Sequence, residues 1–250
     1  MTPLYSVLAG ILGLFFGSFL SMLIPRLHTG EKGIFFGRSH CPHCKTDLKA
    51  HDLIPLISYL WLKGHCHQCK EKISFWYPVT ELATALTFGL LFFYIQNWTL
   101  FAWYALHFLV LLFIFFYDLR YKEIHDGVML PAIVFAFIAS VAIGNPLSSL
   151  FGAAVAVSFF GLQYLLSRGR WIGSGDLRIG AFMGLLLAWP MTLTALLASY
   201  IIGSLVSLLL LASKNATPKT AVPLGPFLVL GTMLTYFFGD FLVDFYLKLL

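Results

Sequence analysis

Long apolar runs alternate with short polar stretches along this chain. The runs predict helices over roughly 3–24, 77–95, 99–117, 127–144, 147–167, 178–189, 191–213 and 224–246. Most have the length and the scarcity of charge of a membrane-spanning helix. The run 178–189 is short, and only Pro190 separates it from the next. The pattern therefore predicts eight spans, or seven if those two merge. The first run begins at Pro3, with no basic stretch before it and no A-x-A-like site after it. It reads as a retained span rather than a cleaved signal peptide. Gly13 and Gly17 within it form a small-xxx-small pair that favours close helix packing. No internal repeat stands out.

Composition sharpens this picture. Of the 250 residues, 59% are hydrophobic and 11% charged, and the mean hydropathy is +0.85. A soluble globule is excluded, and the expected fold class is all-α: a polytopic membrane protein of about eight transmembrane helices. Eight alternating spans put the loops 25–76, 118–126, 168–177 and 214–223 on one face. Together with Arg178 at their edge, these loops hold all of the 16 Lys and Arg except Lys248. That bias assigns them to the cytoplasm and both termini to the outside. The net charge of +5 follows from topology and anionic lipid, so no nucleic-acid partner is implied. The chain divides into a first span (1–24), a soluble loop (25–76) and a bundle of spans (77–250).

The 25–76 loop contains "CPHCKTDLKAHDLIPLISYLWLKGHCHQC", with all 4 cysteines of the chain. Cys41 and Cys44 form one C-x-x-C, and Cys66 and Cys69 form another. A two-residue spacer lets two thiolates reach one tetrahedral ion from a tight turn, and two such knuckles make a closed structural zinc site. The gap between them slightly exceeds that of the usual zinc ribbon. The competing readings are two disulfides, disfavoured on a reducing face, and a redox motif, which needs one C-x-x-C and not two. His43, His65 and His67 are further candidate ligands, read as bystanders while four thiols are available. A closed four-thiolate site leaves no position for a reacting water, so its task is to fold a loop with little core of its own.

The acids beyond this loop are few. Asp240 and Asp244 fall near the C-terminus, where solvation explains them. Glu81 lies one turn inside the second span, where it either snorkels to the surface or faces the bundle interior as a functional group. "YDLRYKEIHD" carries Asp118 at the end of the third span and Asp126 before the fourth, and "GSGD" carries Asp176 before the sixth. The fourth and fifth spans form a hairpin between these loops, so Asp118 and Asp176 return to the same face. Asp126 is placed to cap the fourth span, and Asp176 could cap the sixth. Gly173 and Gly175 allow close backbone approach and positive φ. Asp118 stands at a helix C-terminus, against the macrodipole, which points to a specific partner. Two carboxylates a few ångströms apart share one proton. One then activates a water while the other polarises a peptide carbonyl, the chemistry of an aspartic protease. Arg120, Lys122 and Arg178 read as ordinary cytoplasmic-face cations.

On these residues the chain resembles the type IV prepilin peptidases, including those that serve competence and type II secretion pseudopilins. "GSFLSMLIPRL" is similar to the family's opening span, the two-knuckle loop to its cytoplasmic loop, and "YDLRYKEIHD" with "GSGDLR" to its two aspartate motifs. The resemblance implies a GxGD aspartic endopeptidase of the inner membrane. Such an enzyme cuts the short basic leader from prepilins at the cytoplasmic face, after a glycine. It implies catalytic Asp118 and Asp176, with Gly173, Gly175 and Asp126 as motif positions. By the same resemblance, many members with the cysteine loop use S-adenosylmethionine to methylate the new N-terminal residue. His125 stands where the family usually has proline before Asp126, and Arg178 where it often has lysine.

Two alternatives make different demands. An intramembrane protease of the presenilin or signal-peptide-peptidase kind also uses GxGD, and Tyr117–Asp118 is a passing likeness, but the four-cysteine loop has no counterpart there. An ion-coupled transporter would use Asp118, Asp126 and Asp176 as relays. Transporter sites lie near the midplane within repeats, whereas these acids sit at one edge.

Overall fold

A computed structural model describes residues 2–31, 39–213 and 222–249. Residues 32–38 of the large loop and most of the expected loop 214–223 lie outside the described residues. The described chain is helical, and it divides into two compact units, Met1–Leu109 and Val110–Leu250.

In the first unit, α1 (Thr2–Thr29) packs along α3 (Trp76–Ile95). The contact depends on small residues. A Cβ on Gly13 would come within 2.7 Å of the Thr84 carbonyl, and one on Gly17 within 2.6 Å of the Glu81 Cα. Close approach at Gly13 and Gly17 is what their spacing predicts. Between these helices lie a 3₁₀ turn, Ala50–Leu53, and a short helix, α2 (Ile57–Trp61). The unit ends within α4 (Trp98–Tyr121).

The second unit takes the end of α4 and adds α5 (Asp126–Ile143), α6 (Pro146–Ser167), α7 (Ser174–Leu187), α8 (Met191–Ala212) and α9 (Gly225–Leu249). The helix pairs α6–α7 and α8–α9 are its main contacts, with α5 also against α7. Gly180 packs on the Phe160 ring, and Gly184 faces the backbone of Gly152 and Ala153 with no room for a methyl group. The two glycines form a second small-xxx-small pair, "GAFMG", which seats α7 on α6. Three buried hydroxyls, on Thr192, Ser199 and Thr232, each donate to the carbonyl four residues back. Outward faces carry apolar side chains such as Leu147, Leu166 and Leu208, as lipid contact requires.

Among the described residues, 7 helices are long and apolar enough to cross a membrane. The eighth predicted span is α7. Its 14 residues rise only about 21 Å, less than the ~30 Å hydrocarbon core. Connectivity still gives α7 a full passage. Its start meets the start of α5 through an Arg178–Asp126 ion pair. The start of α9 meets the end of α4 through Gly225 and Asp118. The chain must leave that end of the unit once between Asp176 and the start of α8, and α7 is the element that does so.

Candidate active site

Four helix ends converge in the second unit. α4 runs past its apolar stretch to Tyr121, so Asp118 lies in its last turn rather than beyond it. Lys122 closes the helix with φ 57° and donates its amide to the Asp118 carbonyl at 2.8 Å. The Asp118 side chain is buried. Its Oδ2 accepts a hydrogen bond from the Gly225 amide, 3.0 Å away, at the first residue of α9. A Cβ on Gly225 would stand 2.5 Å from that oxygen and 3.3 Å from Ile179 Cδ1 of α7. Gly225 is thus a contact point for three helices. Its sequence signal is "PLGPF", a turn followed by a proline just inside a helix start.

Asp176 is the third helical residue of α7, and its Oδ2 accepts the Gly173 amide at 3.0 Å. The carboxylate thereby ties down one of the free N–H groups at the helix start. It is half-buried, one turn before Ile179, whose Cδ1 lies beside Gly225. Topology predicts that these two aspartates share a face, and both lie where the ends of α4, α7 and α9 join, around Gly225.

The motif glycines act differently from the expectation. Neither takes a positive φ. Gly173 is extended, at φ −83°, and a Cβ there meets nothing closer than 3.8 Å. A Cβ on Gly175 would lie 2.6 Å from Ile124 Cγ1. Gly175 is therefore a packing requirement that seats the α4–α5 connection against α7. Asp126 is not the cap of α5. His125 holds that position without a side-chain bond, and Asp126 is the first helical residue. Its carboxylate pairs with Arg178, a residue read from sequence only as a cytoplasmic-face cation. A negative charge there suits the helix N-terminus. The His125 ring stands edge-on to Tyr117, at 5.9 Å between centroids.

The remaining predicted residues belong to the first unit. Glu81 does not snorkel to the surface. It is buried in α3, and its Oε2 accepts the Leu56 amide at 2.8 Å. Leu56 holds φ 58°, so the carboxylate pins a strained backbone position of the large loop to the helix.

The four cysteines form one cluster, with all sulfur atoms within 4.8 Å of one another. The two knuckles are built alike. Cys41 accepts from the Lys45 amide and donates to Thr46, while Cys66 accepts from Lys70 and donates to Glu71. Each residue after the second cysteine is left-handed, Lys45 at 55° and Lys70 at 58°. The sequence does hold this repeat, "HCPHCKTD" against "HCHQCKEK". Cys41 Sγ and Cys69 Sγ are 3.9 Å apart, far beyond a disulfide bond. Sulfurs about 2.3 Å from a tetrahedral ion stand about 3.8 Å apart, so the cluster fits a metal. Hydrogen bonds from Thr46 draw the Cys44 thiol down to about 6. Cys69 is pushed up to about 11: the Glu71 amide favours its thiolate, but desolvation and the neighbouring thiols outweigh it. A bound cation would remove that opposition.

Two family models match this sequence. The bacterial peptidase A24 N-terminal domain covers residues 11–95, and the type IV leader peptidase family covers residues 105–208. A Bacillus subtilis (strain 168) protein named prepilin leader peptidase/N-methyltransferase is 32% identical over 247 residues, 96% of this chain and 96% of its own. The protein of that name from Legionella pneumophila is 31% identical over 231 residues, 86% of this chain and 77% of its own. The Myxococcus xanthus (strain DK1622) one is 34% identical over 233 residues, 87% of this chain and 67% of its own. No solved structure matches the chain. The helices long enough to span a bilayer and the four-cysteine cluster agree with these matches. The chain belongs to the type IV leader peptidase family and is a multi-pass membrane peptidase.

Proposed function

We propose that Asp118 and Asp176 are the catalytic pair of an aspartic endopeptidase that removes the leader from prepilin-like proteins. The observation that carries this is the placement of both carboxylates at the joined ends of α4, α7 and α9, each held by a backbone amide. One carboxylate, ionised, takes a proton from a water between them. The other, protonated, donates to the scissile carbonyl. Water oxygen bonds to the carbonyl carbon. The tetrahedral intermediate then collapses as the amine leaves with a proton from the pair. The Gly225 and Gly173 amides hold one oxygen of each carboxylate in place, which orients the pair before substrate arrives.

The site faces the cytoplasm in this reading, with both termini outside an inner membrane. The clustering of Lys and Arg in the loops 25–76, 118–126 and 168–177 supports that orientation. Cleavage after a glycine follows from the family resemblance. Cys41, Cys44, Cys66 and Cys69 hold a structural zinc ion that folds the loop 25–76, while 77–250 forms the peptidase domain. The relatives' shared name supports N-methylation of the new N-terminus with S-adenosylmethionine as a second activity. Glu81 serves in anchoring the loop.

The test is cleavage of a purified prepilin by detergent-solubilised enzyme. Asp118→Asn and Asp176→Asn should each lose cleavage while inserting normally. Processing by either at near wild-type rate would remove the pair from the mechanism. Labelled S-adenosylmethionine in the same assay reads methylation, and an unlabelled product would leave a peptidase alone.

A further inference from the structure

Three side chains in the large loop converge in a way that neither the carboxylate pair nor the four thiols use. Asp52 lies in the 3₁₀ turn Ala50–Leu53, and its Oδ2 accepts the Lys49 amide at 3.1 Å. Its Oδ1 faces two imidazoles, His51 Nε2 at 3.4 Å and His67 Nδ1 at 3.5 Å. The Asp52 side chain is only 8% exposed, yet Oδ1 has no hydrogen-bond partner. Neither histidine approach is a hydrogen bond. A desolvated carboxylate oxygen left without a donor needs an explanation.

A cation supplies one. Ligands about 2.0–2.1 Å from a tetrahedral ion stand about 3.3 Å apart, close to both observed separations. The three ligand atoms all lie within 4.8 Å of one another. Two imidazoles and one carboxylate suit a divalent first-row transition ion. Both imidazoles are more than half exposed, at 59% and 52%, so water can complete the coordination.

We infer that His51, Asp52 and His67 form a second metal site, separate from the four-cysteine site and taking a divalent first-row transition-metal ion such as Zn²⁺. The site shares no ligand with the cysteine cluster. His67 sits between Cys66 and Cys69, while His51 and Asp52 belong to the segment between the knuckles. A metal here cross-links that segment to the second knuckle.

The test uses the full chain in detergent, dialysed against buffered micromolar Zn²⁺ and then assayed for bound metal. Asp52→Asn and His51→Gln should each hold one equivalent less than the wild type. Co²⁺ replacement gives the control: the thiolate-to-cobalt charge-transfer band should be equal in all three proteins. Unchanged metal content in the two variants overturns the site, whatever the total. Loss of the thiolate band along with the metal also overturns it, because Asp52 would then be holding the fold rather than an ion. A cysteine cluster that binds nothing shows as a missing band in every protein, and leaves the difference between wild type and variants readable.

Discussion

The amide of Gly225 donates to Oδ2 of Asp118 across 107 positions of sequence. A methyl group at residue 225 would stand 2.5 Å from that oxygen, so the carboxylate would have to move. Displacing a reacting group by about 1 Å costs on the order of 10²-fold in rate. Gly225→Ala should therefore cut prepilin cleavage by about that factor. Cleavage rates on a pulse-chase gel decide it, and a rate within twofold of wild type would separate Gly225 from the site.

Asp176→Asn should lower cleavage by about 10²–10⁴-fold, the usual contribution of a proton-transfer group. The asparagine Oδ1 can still accept the Gly173 amide, so α7 should keep its start. Equal melting temperatures with lost cleavage would place the defect in chemistry. A drop in both would place it in folding.

The two motif glycines should part company. Gly173→Ala has nothing closer than 3.8 Å to meet and should retain most activity. Gly175→Ala drives a methyl group into Ile124, and overpacking of this kind costs about 1–3 kcal/mol. Trimming the neighbour, as Gly175→Ala with Ile124→Ala, should recover part of the loss. Equal behaviour of the two single variants would contradict the packing role of Gly175.

Asp126 pairs with Arg178 at a half-exposed position, with side chains 54% and 33% accessible. Such pairs contribute about 0–1 kcal/mol. Asp126→Asn should keep cleavage within about tenfold and shift melting by a few degrees at most. Complete inactivation by this change would make Asp126 a member of the reacting set.

Replacing Cys41 or Cys69 by serine should lower both bound zinc and the amount of folded protein, because the ion supplies order that the loop lacks. Metal analysis and immunoblots of the same membranes measure the two together. Full zinc content in a variant lacking all four cysteines would end the ribbon assignment.

The spans and the knuckles were legible in sequence because each depends on neighbours in the chain. Apolar runs announce helices, and C-x-x-C announces a turn. That Asp118 and Asp176 fall at one end of the second unit was legible through parity, since a hairpin of two spans returns the chain to one face. Gly225 was not, because its importance lies in a contact made from 107 residues away. Asp126 read as a cap because a carboxylate before an apolar run commonly is one. Its actual partner, Arg178, is 52 positions off. Glu81 showed itself as a carboxylate inside a span, but the Leu56 amide that accounts for it lies 25 positions away. The short α7 could be found as an apolar run, while its passage through the unit became clear only from where α5 and α9 begin.

The glycine contacts between α6 and α7 have a mechanical consequence. Gly184 sits directly on the backbone of Gly152 and Ala153, with no layer of side chains that could slide or compress. A side chain at Gly184 would therefore push α7 off α6 and tilt the helix that carries Asp176 at its other end, without touching the aspartate itself.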